Sequence, residues 1–209
     1  MRRGALVVFE GCDRSGKSTQ CKKLVDSLRE NGLKAELMRF PERSTTIGKV
    51  IDSYLKKSSD VQDNAVHLLF SANRWELVPE MKRKLGEGVT LVVDRYAYSG
   101  VAFTAAKEGF TLDWCKQPDV GIPLPDLVLY LDISSEAAGR RGGFGEERYE
   151  KSDIQLRVAE NFKRMQEDDW KVIDADQSME DLHRQIKDVV LNVIDQDLPQ
   201  LGTLWTKKD

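Results

Sequence analysis

The chain is predicted to adopt a three-layer α/β fold, in which helices cover both faces of a five-stranded, mostly parallel sheet. Short apolar segments rich in β-branched residues alternate with helix-like stretches, at residues 5–9, 35–40, 89–93, 127–131 and 172–173. The segment 89–93 is almost continuously apolar, as is typical of a strand buried on both faces. A length of 209 residues fits one domain, residues 1–209, with a sizeable core.

Composition and charge exclude several classes of protein. The net charge of −3 disfavours a surface that binds a nucleic acid polymer. The apolar run between Arg3 and Glu10 is too short for a signal peptide or a membrane-spanning helix. Cys12, Cys21 and Cys115 are odd in number and lack metal-type spacing, which favours reduced thiols and a cytoplasmic location with no membrane association.

The first strand leads into the sequence Gly-Cys-Asp-Arg-Ser-Gly-Lys-Ser at residues 11–18, which fits the phosphate-binding loop of P-loop proteins. A helix is predicted to follow, from residue 17 to residue 31, with Gly32 ending it. Backbone amides of such a loop converge on a polyphosphate, Lys17 reaches its terminal oxygens, and the Ser18 hydroxyl is a ligand for Mg²⁺. Cys12 lies inside this loop, either as a small space-filling residue or with a redox role.

Two further segments are expected to cover a substrate. Residues 44–88 separate the second and third strands and contain two helical patterns, with Pro79 bending or ending the second. Residues 137–150 are dense in glycine and charge, which weakens a helix and predicts a short mobile lid. The last helix is predicted to begin after a capping residue, Ser178, and to bury a stripe at helical spacing. That stripe comprises Leu182, Ile186, Val189, Val190 and Val193.

Charged residues at the ends of the predicted strands indicate phosphoryl transfer. Asp94 ends the third strand, where it could hold Mg²⁺ opposite Ser18, or serve as a helix cap or ion-pair partner. Arginines, whose planar forks neutralise phosphate charge, recur in loops expected to converge on one sheet edge. They are Arg14, Arg43, Arg74, Arg95, Arg140, Arg141 and Arg148. This number favours a monophosphate as acceptor, because a phosphate is already a nucleophilic anion near neutral pH and needs no general base.

Four motifs in the order found here are similar to those of thymidylate kinases of the eukaryotic type. They are Phe9-Glu10-Gly11 with Asp13-Arg14, Arg39-Phe40-Pro41-Glu42-Arg43, Phe70-Ser71-Ala72-Asn73-Arg74-Trp75, and Asp94-Arg95-Tyr96 with residues 99–103; the run 144–150 matches that family's lid. The resemblance spans nearly the whole chain and implies a nucleoside monophosphate kinase-like P-loop fold. It further implies transfer of the γ-phosphoryl of MgATP to dTMP, giving dTDP and ADP in dTTP biosynthesis, by a homodimer.

The resemblance also implies roles for individual residues. Lys17, Arg14, Arg95 and Asp94 form the catalytic set, with Ser18 and Asp94 at the metal. The ATP-binding residues would be Arg14, Ser15, Gly16, Lys17, Ser18, Thr19, Arg95, Arg141, Ala175 and Gln177. The dTMP-binding residues would be Asp13, Phe40, Arg43, Phe70, Arg74, Arg95, Ser99, Gly100, Phe103, Tyr149 and Gln155.

Within the dTMP set, the contacts implied by the resemblance divide between phosphate, sugar and base. Asp13 would accept the sugar 3′-OH, and Phe40, Arg43 and Arg95 would frame the acceptor phosphate. Phe70 would stack on thymine and Arg74 would donate to its O4, while Tyr149 and Gln155 would close over the nucleoside. The alternative for Phe70 and Phe103 is core packing.

Three other functions remain as alternatives. A deoxynucleoside kinase would use Glu10 as a general base on a 5′-OH, although the arginines favour a phosphorylated acceptor. A GTPase-type switch would need an Asn-Lys-x-Asp motif, which the sequence lacks. A catalytically silent relative is disfavoured because Lys17, Ser18, Asp94 and Arg14 are present.

Overall fold

The computed structural model describes residues 2–141, 147–149 and 151–206, and it contains the five-stranded sheet that the sequence predicts. The strands are β1 (Leu6–Glu10), β2 (Ala35–Arg39), β3 (Thr90–Asp94), β4 (Leu127–Asp132) and β5 (Lys171–Asp174). Their order in the sheet is β2-β3-β1-β4-β5, and every neighbouring pair is parallel. Parallel pairing requires a crossover after each strand, and helices provide these crossovers.

Helices occupy most of the remaining described chain. They are α1 (Lys17–Glu30), α2 (Thr46–Leu55), α3 (Asp63–Trp75), α4 (Val78–Gly86), α5 (Ala97–Thr104), α6 (Leu112–Lys116), α7 (Ser135–Arg140), α8 (Ser152–Met165) and α9 (Met179–Ile194). Hydroxyl side chains begin several of them. Ser178, for example, accepts a hydrogen bond from the Asp181 amide at the start of α9, as the sequence predicts. Across the described ranges, no helix combines the length and apolar character needed to cross a membrane.

The two faces of the sheet are buried in separate cores because successive strand residues point to opposite sides. Val7 and Phe9 of β1 lie in the core under α1 and α9, while Leu6 and Val8 lie in the core under α4, α5 and α8. In α9, Leu182, Ile186 and Val190 of the predicted stripe are buried, and Val189 and Val193 pack at its margin. A smaller core joins α2, α3 and Tyr149.

The excursion between β2 and β3 differs from its prediction. It contains three helices rather than two, and Pro79 lies in the first turn of α4 instead of bending or ending a helix. Proline is well tolerated there, because the first amides of a helix have no intrahelical partner. Two of these helices, α3 and α4, follow each other closely, because only Glu76 and Leu77 lie between them. Their apolar patterns therefore run together in the sequence.

The predicted lid, residues 137–150, begins with the helix α7, which includes Gly139. Its glycines were expected to weaken a helix, yet its first residues are helical, because the Ser134 hydroxyl caps α7 by accepting from the Ala137 amide. Residues 142–146 and 150 of this segment lie outside the described residues.

The C-terminal segment carries structure that the sequence did not reveal. Trp205 packs edge-on against Tyr98, with ring centroids 5.5 Å apart, and Thr203 forms an antiparallel bridge with Pro123. The Gly121 amide donates to the Leu204 carbonyl over 2.9 Å. Residues 203–205 therefore pack beside the loop that leads into β4.

Candidate active site

A cleft of about 450 Å³ opens at the carboxyl ends of β1, β2 and β3. It brings together most of the residues that the sequence singled out, because the carboxyl ends of parallel strands meet at one sheet edge. The predicted residues that line it are Asp13, Arg14, Gly16, Lys17, Ser18, Thr19, Phe40, Arg43, Phe70, Arg74, Arg95, Ser99, Gly100, Phe103 and Tyr149. The cleft is also lined by residues for which no role was predicted: Arg39, Pro41, Leu55, Tyr96, Thr104 and Glu147.

Two glycines shape the phosphate loop. Gly11 has φ +139°, and a Cβ there would come within 2.6 Å of the Leu131 carbonyl oxygen. Gly16 has φ +92° and stands directly before the first residue of α1, so the loop turns sharply into the helix. Arg14 adopts φ +67°, a conformation that costs a non-glycine residue free energy and is concentrated at functional sites.

Lys17 is buried at the start of α1, with 4% of its surface exposed. Its ammonium donates to the Cys12 carbonyl over 2.6 Å and to the Ser15 hydroxyl over 3.1 Å. Burial, and then the neighbouring positive charge of Arg95, lower the pKa of Lys17 to about 8. Ser15 does not itself line the cleft, but its hydroxyl holds the lysine that does.

Cys12 is buried next to this lysine, and its Sγ lies 3.8 Å from the Gln155 carbonyl oxygen. Burial raises the pKa of the Cys12 thiol. Because the thiolate is the reactive form, this environment favours the interpretation of Cys12 as a small space-filling residue over a redox role.

Asp94 ends β3 beside the first turn of α1. The Ser18 hydroxyl donates to its Oδ2 over 2.5 Å, and the Arg39 Nε lies 3.7 Å from the same oxygen. The sequence predicted that Ser18 and Asp94 face each other, and the structure brings them into contact. Arg39 was missed, although it ends β2 and the strand-end argument that selected Asp94 applies to it equally.

Arg95 lies at the centre of the cleft and has φ +68°. Its Nη2 donates to Asp13 Oδ1, and its Nη1 donates to the Gly11 carbonyl over 3.2 Å and to the Ser99 hydroxyl over 3.1 Å. Gln155 donates to the other Asp13 oxygen over 2.6 Å and accepts from the Asp13 amide over 3.0 Å. Gln155 therefore holds Asp13, a residue of the cleft wall, although it does not line the cleft.

Glu10 is fully buried and does not line the cleft. It accepts hydrogen bonds from the Tyr96 and Ser99 amides and from the Ser99 hydroxyl. Its pKa is raised, because burial outweighs these hydrogen bonds and the charge of Arg95. The alternative that used Glu10 as a general base is not supported, because a base must reach the hydroxyl that it deprotonates.

Arg43 is held between two carboxylates. Its Nη1 donates to Asp52 over 2.7 Å, and its Nη2 lies 2.8 Å from Glu147. Burial acts to lower the pKa of Arg43, but the two carboxylates outweigh it and hold that pKa above its usual range. Asp52 is on α2 and Glu147 follows α7, and no sequence pattern indicated either partner.

Arg74 is almost fully buried and forms a bidentate ion pair with Asp119, with Nε and Nη2 at 2.9 and 2.5 Å from its oxygens. Gly100 packs against this guanidinium, and a Cβ there would lie 2.9 Å from Nη2. The sequence predicted a base contact for Arg74 but missed Asp119, which stands 45 residues away in a short 3₁₀ turn.

Aromatic rings form the wall next to Arg95. The Arg95 guanidinium lies over the Phe103 ring, 5.2 Å from its centroid, and the Phe103 and Tyr149 rings meet edge-on at 5.5 Å. The Tyr149 hydroxyl lies 3.2 Å from that of Tyr54. Phe70 lines the cleft from α3.

The residues predicted to hold adenine lie beyond the phosphate loop, outside the cleft lining. Arg141 donates to the Arg14 carbonyl over 2.8 Å and to the Ala175 carbonyl over 2.5 Å, so it joins the loop to the end of β5. Gln177 donates to the Asp174 carbonyl over 2.6 Å and exchanges hydrogen bonds with Gln185.

Of the seven arginines predicted to converge on one sheet edge, four line the cleft and three, Arg140, Arg141 and Arg148, do not. Arg141 instead binds the phosphate loop. Arg140 pairs with Glu136 and Asp176, and Arg148 pairs with Asp60 and donates to the Tyr54 carbonyl. Both make local contacts around α7 and the end of α2 that a sequence pattern does not encode.

Comparisons with known proteins agree with this geometry. The family model described as thymidylate kinase matches residues 9–186. A human thymidylate kinase is 58% identical over 98% of both chains, and one from Danio rerio is 55% identical over 98% of both. The solved structure of a thymidylate kinase from Candida albicans superposes with a TM-score of 0.89 at 35% identity, covering 97% of this chain and 99% of that one.

Proposed function

Because the chain belongs to the thymidylate kinase family, we propose that the cleft is its active site and that the residues named above carry the family's reaction. The chain is a nucleoside monophosphate kinase that phosphorylates dTMP to dTDP in nucleotide biosynthesis. The observation that carries the assignment of the site is that the phosphate loop and two further arginines, Arg43 and Arg95, line one cleft.

On the donor side, the phosphate loop binds the triphosphate of ATP. The amides of Ser15, Gly16, Ser18 and Thr19 surround its oxygens, and Lys17 moves from the Cys12 carbonyl to the β- and γ-oxygens. Such a move replaces a neutral acceptor with an anionic one, which strengthens the hydrogen bonds of the ammonium. Arg14 lies at the mouth of the same loop and stabilises the transferring phosphoryl group.

On the acceptor side, Arg43 and Arg95 bind the phosphate of dTMP, with Phe40 packed beside them. No general base is required, since the phosphate is already anionic, and the protein's task is to bring two repelling anions together. Arg95 lies between the phosphate loop and the acceptor side, which allows it to bind both phosphates.

The nucleoside of dTMP occupies the remainder of the cleft. Thymine stacks on Phe70 and accepts a hydrogen bond at O4 from Arg74, whose guanidinium packs against Gly100. The sugar contacts Asp13, Ser99 and Phe103, and Tyr149 covers it, with Gln155 holding Asp13. A bulky ring at Phe103 leaves no space for a 2′-OH, so deoxyribose is selected over ribose.

The adenine of ATP lies against Arg141, Ala175 and Gln177. Support for this placement comes from Arg141, which bridges the phosphate loop and the residue after β5. The lid, residues 137–150 of a single kinase domain, closes over both nucleotides and excludes water. Glu147 and Tyr149, which belong to it, already line the cleft.

Mg²⁺ accompanies ATP, and Ser18 and Asp94 would hold it. Their hydroxyl and carboxylate oxygens are the hard donors that Mg²⁺ prefers, and they meet beside the phosphate loop. When bound, Mg²⁺ would supply positive charge that neutralises the phosphate oxygens. Arg39, with its Nε 3.7 Å from Asp94 Oδ2, adds a positive charge beside that carboxylate.

A cytoplasmic homodimer is the form in which we expect the enzyme to act. The cysteines Cys12, Cys21 and Cys115 are all unpaired, in keeping with a reducing compartment. Exposed apolar side chains on the adjoining helices α2 and α3, among them Val50, Leu68 and Trp75, offer surface for a second copy. Light scattering coupled to size-exclusion chromatography measures the mass of the assembly directly.

The experiment that tests the site and its acceptor measures ADP release from MgATP with a panel of nucleosides and nucleoside monophosphates. We expect dTMP to be preferred to thymidine, because thymidine lacks the dianion that Arg43 and Arg95 bind. Equal use of both acceptors would contradict the placement of the acceptor phosphate and would favour a nucleoside kinase.

Replacement of Arg43 by alanine is expected to weaken dTMP binding by about 2 to 3 kcal/mol, the range for hydrogen bonds to charged groups. ATP binding should change little, because Arg43 faces the acceptor side. Calorimetric titration with each nucleotide measures the two affinities. Arg83→Ala is the matched control, since Arg83 is an exposed arginine on α4 that is also paired with two carboxylates. An Arg43→Ala effect confined to ATP would contradict this role.

A further inference from the structure

Glu10 is a fully buried carboxylate at the last position of β1, and no contact with either substrate is assigned to it. Its Oε1 accepts from the Tyr96 amide over 2.9 Å and from the Ser99 amide over 3.1 Å. Both amides belong to the beginning of α5, where no side chain of the helix's own N-cap residue makes a capping bond. Glu10 therefore caps α5 from a neighbouring strand, where the helix dipole favours a negative charge.

The second carboxylate oxygen of Glu10 sets the direction of the Ser99 hydroxyl. A serine hydroxyl has one hydrogen and two lone pairs, and it rotates to suit its partners. Here the hydrogen is donated to Glu10 Oε2, so the lone pairs remain for the Arg95 Nη1, which donates to Ser99 Oγ over 3.1 Å. A hydroxyl without this partner is free to turn its hydrogen towards the guanidinium, which has only donors.

Arg95 depends on this arrangement because its backbone is unfavourable and its side chain is largely buried. The guanidinium is held by the Ser99 hydroxyl, the Gly11 carbonyl and Asp13. Burial opposes its charge, and Asp13, Asp94 and Glu10 raise the pKa of Arg95 above its usual value. Glu10 thus orients the Arg95 guanidinium through Ser99 and also compensates its positive charge.

We propose that Glu10 is a positioning residue for phosphoryl transfer, which acts through the Ser99 hydroxyl to hold the Arg95 guanidinium at the angle that serves both phosphates. The inference rests on the role proposed for Arg95. It assigns Glu10 a function other than that of a general base, and it adds to the sugar contact proposed for Ser99 a role as the link between two buried charges.

The test is a double-mutant cycle between Glu10→Gln and Arg95→Ala, with kcat and KM for dTMP measured in all four proteins. Glutamine keeps a carbonyl oxygen for the two amides, but its Nε2 donates to Ser99 Oγ and displaces the hydroxyl hydrogen. We expect Glu10→Gln alone to lower kcat about 10- to 100-fold, the effect of a small misplacement of a reacting group. In the Arg95→Ala background the same change is expected to lower kcat less than about threefold.

Asp126→Asn is the matched control. Asp126 is a largely buried carboxylate that accepts from a backbone amide, that of Leu6, and pairs with an arginine, Arg3, but it lies at the opposite end of β1. We expect Asp126→Asn to change kcat by the same factor with and without Arg95, since no contact joins Asp126 to Arg95.

Glu10→Gln activity within twofold of the unmodified protein would overturn the proposal, and so would an equal fold loss in both backgrounds. Should Glu10→Gln fail to fold, Ser99→Ala replaces it, since that variant keeps both amide bonds to Glu10. The loss of kcat caused by Ser99→Ala must also disappear in the Arg95→Ala background. Failure of the unmodified protein to phosphorylate dTMP would refute the proposed active site, whereas turnover without coupling would refute only the role of Glu10.

Discussion

Acidic residues hold the basic side chains of the cleft in place before any nucleotide binds. Asp119 holds Arg74, Asp13 holds Arg95, and Asp52 holds Arg43. Each pairing limits the orientations of a guanidinium and so lowers the entropy lost when a phosphate or a base is bound. The cleft is therefore pre-organised by these carboxylates, of which Asp52 and Asp119 do not line it.

The Arg74–Asp119 pair permits a prediction that separates stability from base selection. Arg74→Ala should lower the free energy of unfolding by about 3 to 5 kcal/mol, because it leaves Asp119 buried without its partner. It should also reduce the preference for dTMP over dCMP, whose 4-amino group is a donor where thymine has an acceptor. Chemical denaturation and the ratio of kcat/KM values measure the two effects.

A double variant, Arg74→Met with Asp119→Leu, is the control for this prediction. It removes both charges, so stability should largely recover, while selection between thymine and cytosine should remain lost. Retention of that selection in either variant would show that Arg74 does not contact the base.

Single residues of the site were predictable where a local rule applied and not where the partner is distant. The phosphate loop and the strand-end residues Asp94 and Arg95 followed from the positions of apolar segments. Asp119, Asp52 and Glu147 did not, because each reaches its arginine through loops and helices whose paths depend on the packing of the whole chain.

For strands and helices, the periodic spacing of apolar residues was the reliable signal in the sequence. Strands predicted at residues 5–9 and 127–131 appear as Leu6–Glu10 and Leu127–Asp132, and the Ser178 cap of α9 is confirmed. The three helices between β2 and β3 were predicted as two, because α3 and α4 are separated by two residues and Pro79 was interpreted as a bend or an ending. α7 formed despite Gly139, since a serine cap offsets part of the cost of a glycine.

The helix after the phosphate loop is predicted to depend on its buried face. Leu24→Ala should lower the free energy of unfolding by about 2 to 5 kcal/mol, because Leu24 is fully buried against the sheet and its removal leaves a cavity. Leu156→Ala on α8, where the side chain is 53% exposed, is the control and should change it by about 0.5 kcal/mol or less. Urea denaturation measures both, and equal effects would mean that α1 is not packed as described.

Across the whole molecule, the stability of the fold is linked to the protonation of the phosphate-loop lysine. The pKa of Lys17 is about 8 in the folded protein against 10.5 ordinarily, so between these values the unfolded chain binds more protons. The free energy of unfolding therefore rises with pH between these two values. Below about pH 8 Lys17 is charged in the folded protein, so the full cost of burying its charge lowers the stability of the fold.

Comparison with Lys17→Met isolates this linkage, because the other titrating groups are common to both proteins. The variant should be the more stable at about pH 7, and its advantage should shrink by about 2 kcal/mol as the pH is raised to about 9.5. Denaturant unfolding across this range measures the difference. Parallel pH profiles for the two proteins would contradict the lowered pKa.

The strand order also bears on how the chain acquires its structure as it is synthesised. β1 is the central strand, yet its neighbours are β3 and β4, so Leu6 pairs with Leu91 and Val7 with Leu127. A nascent chain that ends before β3 has no partner for this apolar strand, although α1 can already form beside it. Such non-local pairing slows folding and prolongs the exposure of strand edges. We expect the emerging N-terminal third of the chain to bind molecular chaperones until β3 leaves the ribosome.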